Sequence, residues 1–317
     1  MSAKGTHDYI GQHQNANILI DINGDLVPRD QATVSVFDSG FVLGDGVWEG
    51  LRVEGGTVLY LEDHLTRLYE GMHTLDYEIE VGKEALTHRI YACLAANDMH
   101  DGVHIRLMVS RGVKSTPYQD PRVTITPPTI VIIPEHKVAL PETLERGVSL
   151  FTVHVRRGYS DVQDPTLNTH SKLNCITACI QAAKAGADEG LMLDPHGFVA
   201  TCNSTHFFIV RRGELWTSTG NYCLDGITRR KVLGLAARDG MTVQERNFTL
   251  TDVYNAEEAF VTGTFAGVAP VREVDGRQIG NGLRGPVVER LQSAYRQAVA
   301  DYIQGPGAAH PRAAKQG

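Results

Sequence analysis

The stretch GLMLDPHGFVATCNSTHFFIVRRGELW, residues 190–216, indicates the fold class of this chain. Runs of apolar, β-branched and aromatic residues (GLMLD, FVATC and HFFIVRRGELW) are separated by turn signals such as DPHG. Strands spaced this closely leave no length for a helix between them, so they predict antiparallel meanders rather than strand–helix–strand repeats. Since helical patterns occur on both sides of the stretch, we predict an α+β fold.

The first half, residues 1–133, is predicted to be a separate N-terminal domain. It opens with two strand-like runs, NILIDING and DLVPRDQATVSVFD, joined by an Asn-Gly turn. In LEDHLTRLYEGMHTL the apolar residues recur at spacings of four and three, which is typical of an amphipathic helix. A second helix is predicted in KEALTHRIYACLAAND, and strands in VHIRLMVSRG and TIVIIP.

Residues 134–147, with two prolines and little periodicity, are predicted to be an interdomain linker. The C-terminal domain is predicted over residues 148–304. It starts with the strand VSLFTVHV and a helix over 173–185 whose apolar stripe contains Leu173, Ile176, Ile180 and Ala183. Later elements are a helix in GITRRKVLGLAARDG, a strand pair in EEAFVTGTFAGVAPVREVDG and a last helix over 284–304. The tail, residues 305–317, is predicted to be disordered.

Composition excludes several classes of function. A chain of 317 residues suits two domains, and its net charge of -7 argues against nucleic-acid or anionic-membrane partners. No stretch has the length and apolarity of a signal peptide or a membrane span. The five cysteines form no C-x-x-C pair, and the thirteen histidines have no metal-binding spacing. We therefore expect a cytoplasmic, reduced protein without a metal, in which Cys175 and Cys179 are buried thiols on one helix face.

Lys172, in NTHSKLNCIT (residues 168–177), is the most notable single residue of the chain. It stands among small polar residues just before an apolar, helix-like run. A lysine there is either a solvated charge beside a helix or a partly buried amine, and burial would lower its pKa and make it nucleophilic.

Two further stretches suit an anion. In LDGITRR, Gly226, Ile227 and Thr228 stand at the start of a predicted helix, whose unpaired N–H groups favour negative charge. In TGTFAG, Gly263 and Thr264 follow a strand, where glycine lets backbone N–H groups come close to a ligand. A helix cap and a tight turn explain both stretches equally well. Arg67, in HLTRL, is either a further anion ligand or a charge on the helix surface.

Five segments occur in a characteristic order: SGFVLGDGVWEGLR, LEDHLTRL, SKLN, GITR and TGTFAGVAPVREVDG. From about residue 17 to residue 300 the chain thereby resembles the fold-type IV pyridoxal-phosphate enzymes, which include branched-chain and D-amino acid aminotransferases, (R)-selective amine transaminases and aminodeoxychorismate lyase. GDGVWE is most similar to the D-amino acid branch, whereas ADEGLMLDPHGFV and PVREVDG are similar to the branched-chain branch. The resemblance implies a smaller N-terminal α/β sandwich-like domain and a larger C-terminal domain with a mixed, β-barrel-like sheet.

The resemblance also implies roles for individual residues. Lys172 matches the lysine that forms a Schiff base with pyridoxal 5'-phosphate and then moves a proton between Cα and the C4′ carbon of the cofactor. Arg67, Ile227, Thr228 and Thr264 match its phosphate ligands. Glu49 matches an acid near the lysine, and Arg106 matches a strand arginine that binds carboxylate in some members, although a structural ion pair explains it as well. Further positions of the substrate pocket are matched by Leu43, Trp48, Phe265 and Ala266.

One position departs from the family pattern. The family has a glutamate that keeps the pyridine nitrogen of the cofactor protonated, and the matching residue here is Thr201, in ATCNSTHFF. Glu189 matches a different family position and does not replace it. A hydroxyl favours the charged ring less than a carboxylate does, so slower or altered chemistry is expected. In addition, RGVKSTPYQDP contains Arg111 and Lys114 but not the R-x-H pattern of the D-amino acid enzymes.

We predict an aminotransferase that moves an amino group from an amino acid or primary amine to a 2-oxo acid. The resemblance implies a homodimer in which the partner closes the pocket, with Trp48 and residues 111–121 as the segments to consider. Two alternatives stay open at this point. One is a lyase of the aminodeoxychorismate lyase type, and the other is a cofactor-binding homologue without catalytic activity.

Overall fold

A computed structural model describes residues 9, 10 and 12–305 of the chain. The described residues fall into two compact units. The N-terminal unit contains residues 10–138 and 168–171, with the last described residues from 299. The C-terminal unit contains residues 139–167 and 172–298, with Tyr9. None of the described helices is long and apolar enough to cross a membrane.

The N-terminal unit is built on a six-stranded antiparallel sheet. The strands in and next to this unit are Tyr9–Ile10 (β1), Leu19–Ile22 (β2), Asp25–Pro28 (β3), Gly46–Glu54 (β4), Thr57–Val58 (β5), Val103–Ser110 (β6), Thr129–His136 (β7) and Val138–Ala139 (β8). The helices are Ser39–Leu43 (α1), Leu61–Thr74 (α2) and Lys83–Ala96 (α3), with 3₁₀ turns at Gln12–Asn15 and Pro121–Val123. The strand order is β3-β2-β7-β6-β4-β5.

One face of this sheet carries the core of the unit. Alternate residues of β4, β6 and β7 are fully buried with the apolar stripe of α2, as the period of two in a strand requires. The other residues of β4 and β6, among them Trp48 and Arg106, are half-buried. The predicted Asn-Gly hairpin is confirmed, since Asn23 and Gly24 join β2 to β3 with φ of 54° and 103°.

The second strand-like run was predicted too long. Strand β3 ends at Pro28, and residues 29–38 form turns and irregular structure. Val34, Val36 and Phe37 are 47%, 65% and 42% exposed. Their alternation with polar residues imitates a strand, but none of the described strands runs beside them, and only an isolated bridge between Asp38 and Val113 closes the segment.

The C-terminal unit contains a nine-stranded sheet. Its strands are Val148–Thr152 (β9), Glu189–Leu193 (β10), Val199–Cys202 (β11), His206–Arg211 (β12), Glu214–Thr217 (β13), Val243–Glu245 (β14), Glu258–Gly263 (β15), Gly267–Val274 (β16) and Arg277–Gln278 (β17). The remaining helices are Pro141–Arg146 (α4), Ser160–Gln163 (α5), Leu173–Lys184 (α6), Ile227–Arg238 (α7), Leu250–Tyr254 (α8) and Pro286–Gln304 (α9).

The order of this sheet is β11-β10-β9-β16-β15-β12-β13-β14, with β17 beside β16. Neighbours are parallel at β9–β10, β9–β16 and β13–β14 and antiparallel elsewhere, so the sheet is mixed. The predicted α+β fold with a mixed, partly barrel-like sheet is confirmed. Helices α7 and α9 cover one face, where the rings of Phe208 and Phe260 stack with centroids 4.8 Å apart.

Residues 134–147, predicted to be an interdomain linker, contain the end of β7, strand β8 and helix α4. Pro134 lies inside β7, and Pro141 is the first residue of α4, a position where proline is tolerated because its missing N–H would have no helical partner. The predicted tail, apart from Gly305, lies outside the described residues.

The sequence suggests that the large apolar residues of α6 face the core, but the structure buries the opposite face of the helix. The small residues Ala178 and Ala182 are buried, whereas Leu173, Ile176 and Ile180 are 74%, 51% and 50% exposed. The prediction that Cys175 and Cys179 are buried thiols was therefore wrong, since Cys175 is half-buried and Cys179 is exposed.

Candidate active site

Lys172 is the N-cap residue of α6. Its φ of -112° and ψ of 13° lie outside the helical range, so the helix begins directly after it. The side chain is half-buried. Lys172 is therefore neither fully solvated nor fully enclosed, and the residues immediately before it, 168–171, belong to the N-terminal unit.

The start of α7 has the features of an anion site. Gly226 caps the helix without a side-chain hydrogen bond, and Ile227 and Thr228 are 3% and 4% exposed. In a helix of this geometry the first N–H groups have no partner inside the helix and carry a partial positive charge. His206 packs directly against Gly226, because a Cβ at position 226 would lie 2.4 Å from its ring. The ring Nε2 of His206 is 2.6 Å from the carbonyl oxygen of Leu224.

A buried hydroxyl without a partner lies on the sheet beside this helix start. Thr262 is 0% exposed, and no described residue forms a hydrogen bond with its Oγ1. It stands directly opposite His206 in the β12–β15 pair, on the sheet face that α7 covers. A buried unpaired hydroxyl is costly, so it marks a place where a polar ligand would be stabilised. Backbone N–H groups, threonine hydroxyls and the positive end of a helix fit a phosphate group.

Gly263, Thr264, Phe265 and Ala266 form the end of β15 and the turn into β16, as the sequence predicted. The turn is closed by pairing of Gly263 with Gly267. Phe265 is 4% exposed, whereas Thr264 and Ala266 are half-buried. Only the smaller residues of the turn are thus partly accessible to a ligand.

Thr201 lies on β11, and its hydroxyl group donates a hydrogen bond to the main chain of the protein. Its Oγ1 donates to the carbonyl oxygen of Thr205 at 2.8 Å, and both residues are 5% exposed. Glu189 is also buried, but one of its oxygens accepts from the Ser204 N–H and from the hydroxyls of Ser204 and Thr205. Its carboxylate thus stabilises the turn after Thr201.

Glu49 and Arg67 form a bidentate ion pair in the N-terminal unit. The Nε of Arg67 donates to Oε1 of Glu49 at 2.8 Å and its Nη2 donates to Oε2 at 2.6 Å. The ring Nδ1 of His64, one turn earlier on α2, lies 2.7 Å from the same Oε2. Burial raises the pKa of Glu49, but the charge of Arg67 and the hydrogen bonds from both partners outweigh it and hold the pKa below its usual value.

These contacts indicate a different role for Glu49 from that of an acid near the lysine. The carboxylate is 0% exposed and already bonded to two cationic or donor groups, so it is placed to orient Arg67. A guanidinium carries five N–H groups, and Glu49 accepts from two of them. An anion that reaches Arg67 would therefore meet a guanidinium whose orientation is already fixed.

Trp48 and Arg106 form a second pair on the half-buried face of the N-terminal sheet. The guanidinium carbon of Arg106 lies 3.7 Å from the centre of the Trp48 ring. Burial lowers the pKa of Arg106, and the charge of Glu135 partly offsets this. The structural ion pair considered in the sequence analysis is absent, since no described carboxylate lies within ion-pair distance of Arg106. Leu43, at the end of α1, is 36% exposed.

Sequence reasoning missed three contributors: His64, Thr262 and the 168–171 segment. His64 and Arg67 are three residues apart on one helix, a spacing that places both side chains on one face and could have indicated a shared partner. The role of Thr262 had no such signal, because an unpaired hydroxyl is recognised only when the surrounding residues are known.

Comparison with known proteins gives a consistent set of similarities. A sequence model of the family described as amino-transferase class IV matches residues 46–274. A putative branched-chain-amino-acid aminotransferase of Methanocaldococcus jannaschii is 40% identical over 279 residues, which are 87% of this chain and 95% of that protein. The branched-chain-amino-acid aminotransferase-like protein 2 of Arabidopsis thaliana is 37% identical over 90% of this chain, but the match covers 51% of that protein. The chain thus spans about half the length of this plant relative.

Among solved structures, the PLP-form of a branched-chain amino acid aminotransferase from Thermobaculum terrenum superimposes with a TM-score of 0.80 at 26% identity. The superposition covers 90% of this chain and 94% of that one.

Proposed function

The chain belongs to the class IV aminotransferase family, and from this premise we propose how it works as a pyridoxal-phosphate-dependent transaminase. Its reaction moves an amino group from an amino acid or primary amine to a 2-oxo acid. The lyase and the non-catalytic role are not favoured, because the relatives are named aminotransferases.

The observation that carries the proposal is the phosphate-type donor set at the start of α7. Ile227 and Thr228 provide N–H and O–H donors at a helix N-terminus, and the Thr262 hydroxyl, which has no partner among the described residues, lies on β15. In our proposal Ile227, Thr228, Thr264 and Arg67 hold the phosphate of pyridoxal 5'-phosphate, with Gly263 allowing close approach.

When bound, pyridoxal phosphate supplies an aldehyde that condenses with primary amines and a ring that withdraws electrons from the bonds at Cα. Lys172 is proposed to carry the cofactor between turnovers. With the cofactor bound, the Lys172 amine would act as general base at Cα of the donor and would return the proton at the C4′ carbon. Thr201 is proposed to lie at the ring nitrogen. Because its proton is engaged by Thr205, its oxygen is available mainly as an acceptor.

Arg106 is proposed to bind the carboxylate of the substrate. Its guanidinium is partly desolvated and stacked on Trp48 rather than paired with a carboxylate of the described residues. A desolvated guanidinium binds an incoming carboxylate more strongly than a hydrated one does. Leu43, Trp48, Phe265 and Ala266 would form pocket walls, while Glu49 acts through Arg67.

We also propose that the protein is a homodimer and is located in the cytoplasm. Among the exposed apolar side chains, two groups stand close together in sequence: residues 34–41 of the N-terminal unit and the Leu173, Ile176 and Ile180 stripe of α6. Apolar surface of this kind is typical of protein contacts. Light scattering coupled to gel filtration would measure the mass, and a monomer at micromolar concentration would contradict the dimer.

The proposed function is tested by the covalent bond itself. Purified protein incubated with pyridoxal phosphate should develop a visible absorption band, which an amino donor should bleach. Borohydride reduction followed by peptide mass mapping should find the cofactor on Lys172. A Lys172→Ala variant should lose both the band and turnover. Reduction that leaves Lys172 unmodified would overturn the proposal.

A further inference from the structure

Residues 168–171, the segment that leads into Lys172, run antiparallel to the start of β4 and pair with it through an isolated bridge. Thr169 stands opposite Val47 in an antiparallel bridge. The N–H of Trp48 donates to the carbonyl of Asn168 at 3.0 Å, and the N–H of His170 donates to the carbonyl of Gly46 at 2.8 Å. The segment therefore belongs to the N-terminal unit, although the residues on both sides of it belong to the C-terminal unit.

Side chains fasten this segment in addition to the backbone. The amide Nδ2 of Asn168 donates to the carbonyl of Trp48 at 2.6 Å, and the indole Nε1 of Trp48 donates to the carbonyl of Thr169 at 3.0 Å. The hydroxyl of Ser171 donates to the carbonyl of Gly44 at 3.2 Å. Asn168 and Thr169 are 7% and 8% exposed, so their bonds to Trp48 are largely protected from competition with water, whereas the Ser171–Gly44 bond is exposed.

The glycines of SGFVLGDG make room for the same segment. A Cβ at Gly44 would lie 2.7 Å from the hydroxyl oxygen of Ser171, and one at Gly46 would lie 2.7 Å from the ring of His170. A Cβ at Gly40 would lie 2.9 Å from the Nδ1 of His170. A Cβ at Gly46 would also lie 2.6 Å from the carbonyl oxygen of Val109 in β6, and Gly44 has a φ of 69°, so glycine is favoured at both positions. The glycines at 40, 44 and 46 thus allow residues 168–171 to pack close to the start of β4.

We propose that β4 fixes the main chain in front of Lys172, and that Trp48 and Asn168 are positioning residues for its amine. Lys172 is the next residue after the fastened segment, and α6 starts directly behind it. Its main chain is therefore restrained on both sides, which leaves only side-chain torsions to bring the amine to its reaction partner. A restrained approach raises the rate of a covalent step. This inference rests on the proposed function, because it needs Lys172 to be the attachment site.

Trp48→Phe and Asn168→Ala each remove one fastening bond and keep the backbone bonds of the segment. The full-length protein is freed of cofactor and mixed with rising concentrations of pyridoxal phosphate in a stopped-flow spectrometer. The limiting rate of the visible band reports covalent attachment, and the half-saturating concentration reports binding before attachment. Trp216→Phe is the matched control, because the indole of Trp216 also donates a hydrogen bond, to Glu214 at 2.8 Å, but in the C-terminal unit.

We expect each variant to lower the limiting rate about fivefold, the equivalent of one hydrogen bond, with an unchanged half-saturating concentration. The control should match the wild-type protein in both values. Wild-type limiting rates in both variants, or a change confined to the half-saturating concentration, would overturn the inference. If the wild-type protein itself attached no cofactor at Lys172, the proposed function would fail instead.

Discussion

Replacing Glu49 with Gln tests whether this buried acid orients Arg67. The change keeps the size of the side chain and one acceptor oxygen but removes the negative charge. The amide that replaces Oε2 carries hydrogens, and these would point at the Nη2 of Arg67, which now donates to Oε2 at 2.6 Å. The guanidinium should therefore lose its fixed orientation.

The size of the effect follows from the burial of the pair. A hydrogen bond to a charged group contributes about 1.5–3 kcal/mol. Glu49 has no exposed side-chain surface, but the side chain of Arg67 is 15% exposed, so water compensates part of the loss. We expect the variant to lose about 2 kcal/mol of unfolding free energy and to bind pyridoxal phosphate about tenfold more weakly.

The assay distinguishes the contribution of the phosphate group to binding from that of the rest of the ligand. Affinities of the wild-type protein and the variant are measured for pyridoxal phosphate and for pyridoxal, which has no phosphate. A role through Arg67 predicts weaker binding of the first and unchanged binding of the second. Glu62→Gln is a matched control, because Glu62 also pairs with a cation, Lys83, but its side chain is 76% exposed. It should change neither affinity.

Acid denaturation tests the contribution of Glu49 to the unfolding free energy independently. The pKa of Glu49 is held below its unfolded value of 4.5, so its stabilisation is complete above pH 4.5 and is lost as the pH falls through the folded pKa. The Gln variant should lack this part of the acid dependence. Two results would refute the reasoning: equal weakening for pyridoxal and its phosphate, or tighter phosphate binding, which would mean that removing a negative charge outweighs the loss of orientation.

Three further predictions concern other residues. Arg106→Met should raise the KM for the 2-oxo acid about tenfold or more, because a charge-assisted bond to its carboxylate is lost; steady-state kinetics with an unchanged KM would contradict this. Thr201→Glu should increase kcat about tenfold, since a carboxylate favours a protonated ring nitrogen more than a hydroxyl does; a slower variant with normal cofactor content would contradict the placement of Thr201. In the native protein a thiol reagent at pH 8 should label Cys179 rapidly but spare Cys202 and Cys223, because burial raises the pKa of both thiols, and peptide mapping would detect any exception.

Much of the local structure could be predicted from the sequence. The periodic stripe of α2 and the Asn-Gly turn between β2 and β3 each depend on neighbours within a few residues, so their patterns are complete in the chain itself. The same holds for the start of α7 after Gly226, where the helix N-terminus already indicated an anion. The sequence thus indicated Ile227 and Thr228 as candidate ligands, but not Thr262.

Predictions from local sequence patterns failed where residues far away along the chain determine the local structure. The alternation in residues 29–38 imitates a strand, but a strand needs a neighbour along its length, and no described strand runs beside these residues. On α6 the sheet takes the face with Ala178 and Ala182, and the larger apolar residues that suggest a core stripe are exposed. Small residues allow a helix to lie close to a sheet, and the sequence does not tell which face does so.

The sequence by itself determined the fold class, through its closely spaced strand runs between helical patterns. The order of its motifs determined the family resemblance and the lysine on which the chemistry is proposed to depend. Only the tertiary structure decided that Glu49 belongs to Arg67 and His64, and that the glycines at 40, 44 and 46 accommodate residues 168–171. The physical reason is distance along the chain. Hydrogen bonds between β4 and residues more than a hundred positions away become possible only when folding brings the two segments together.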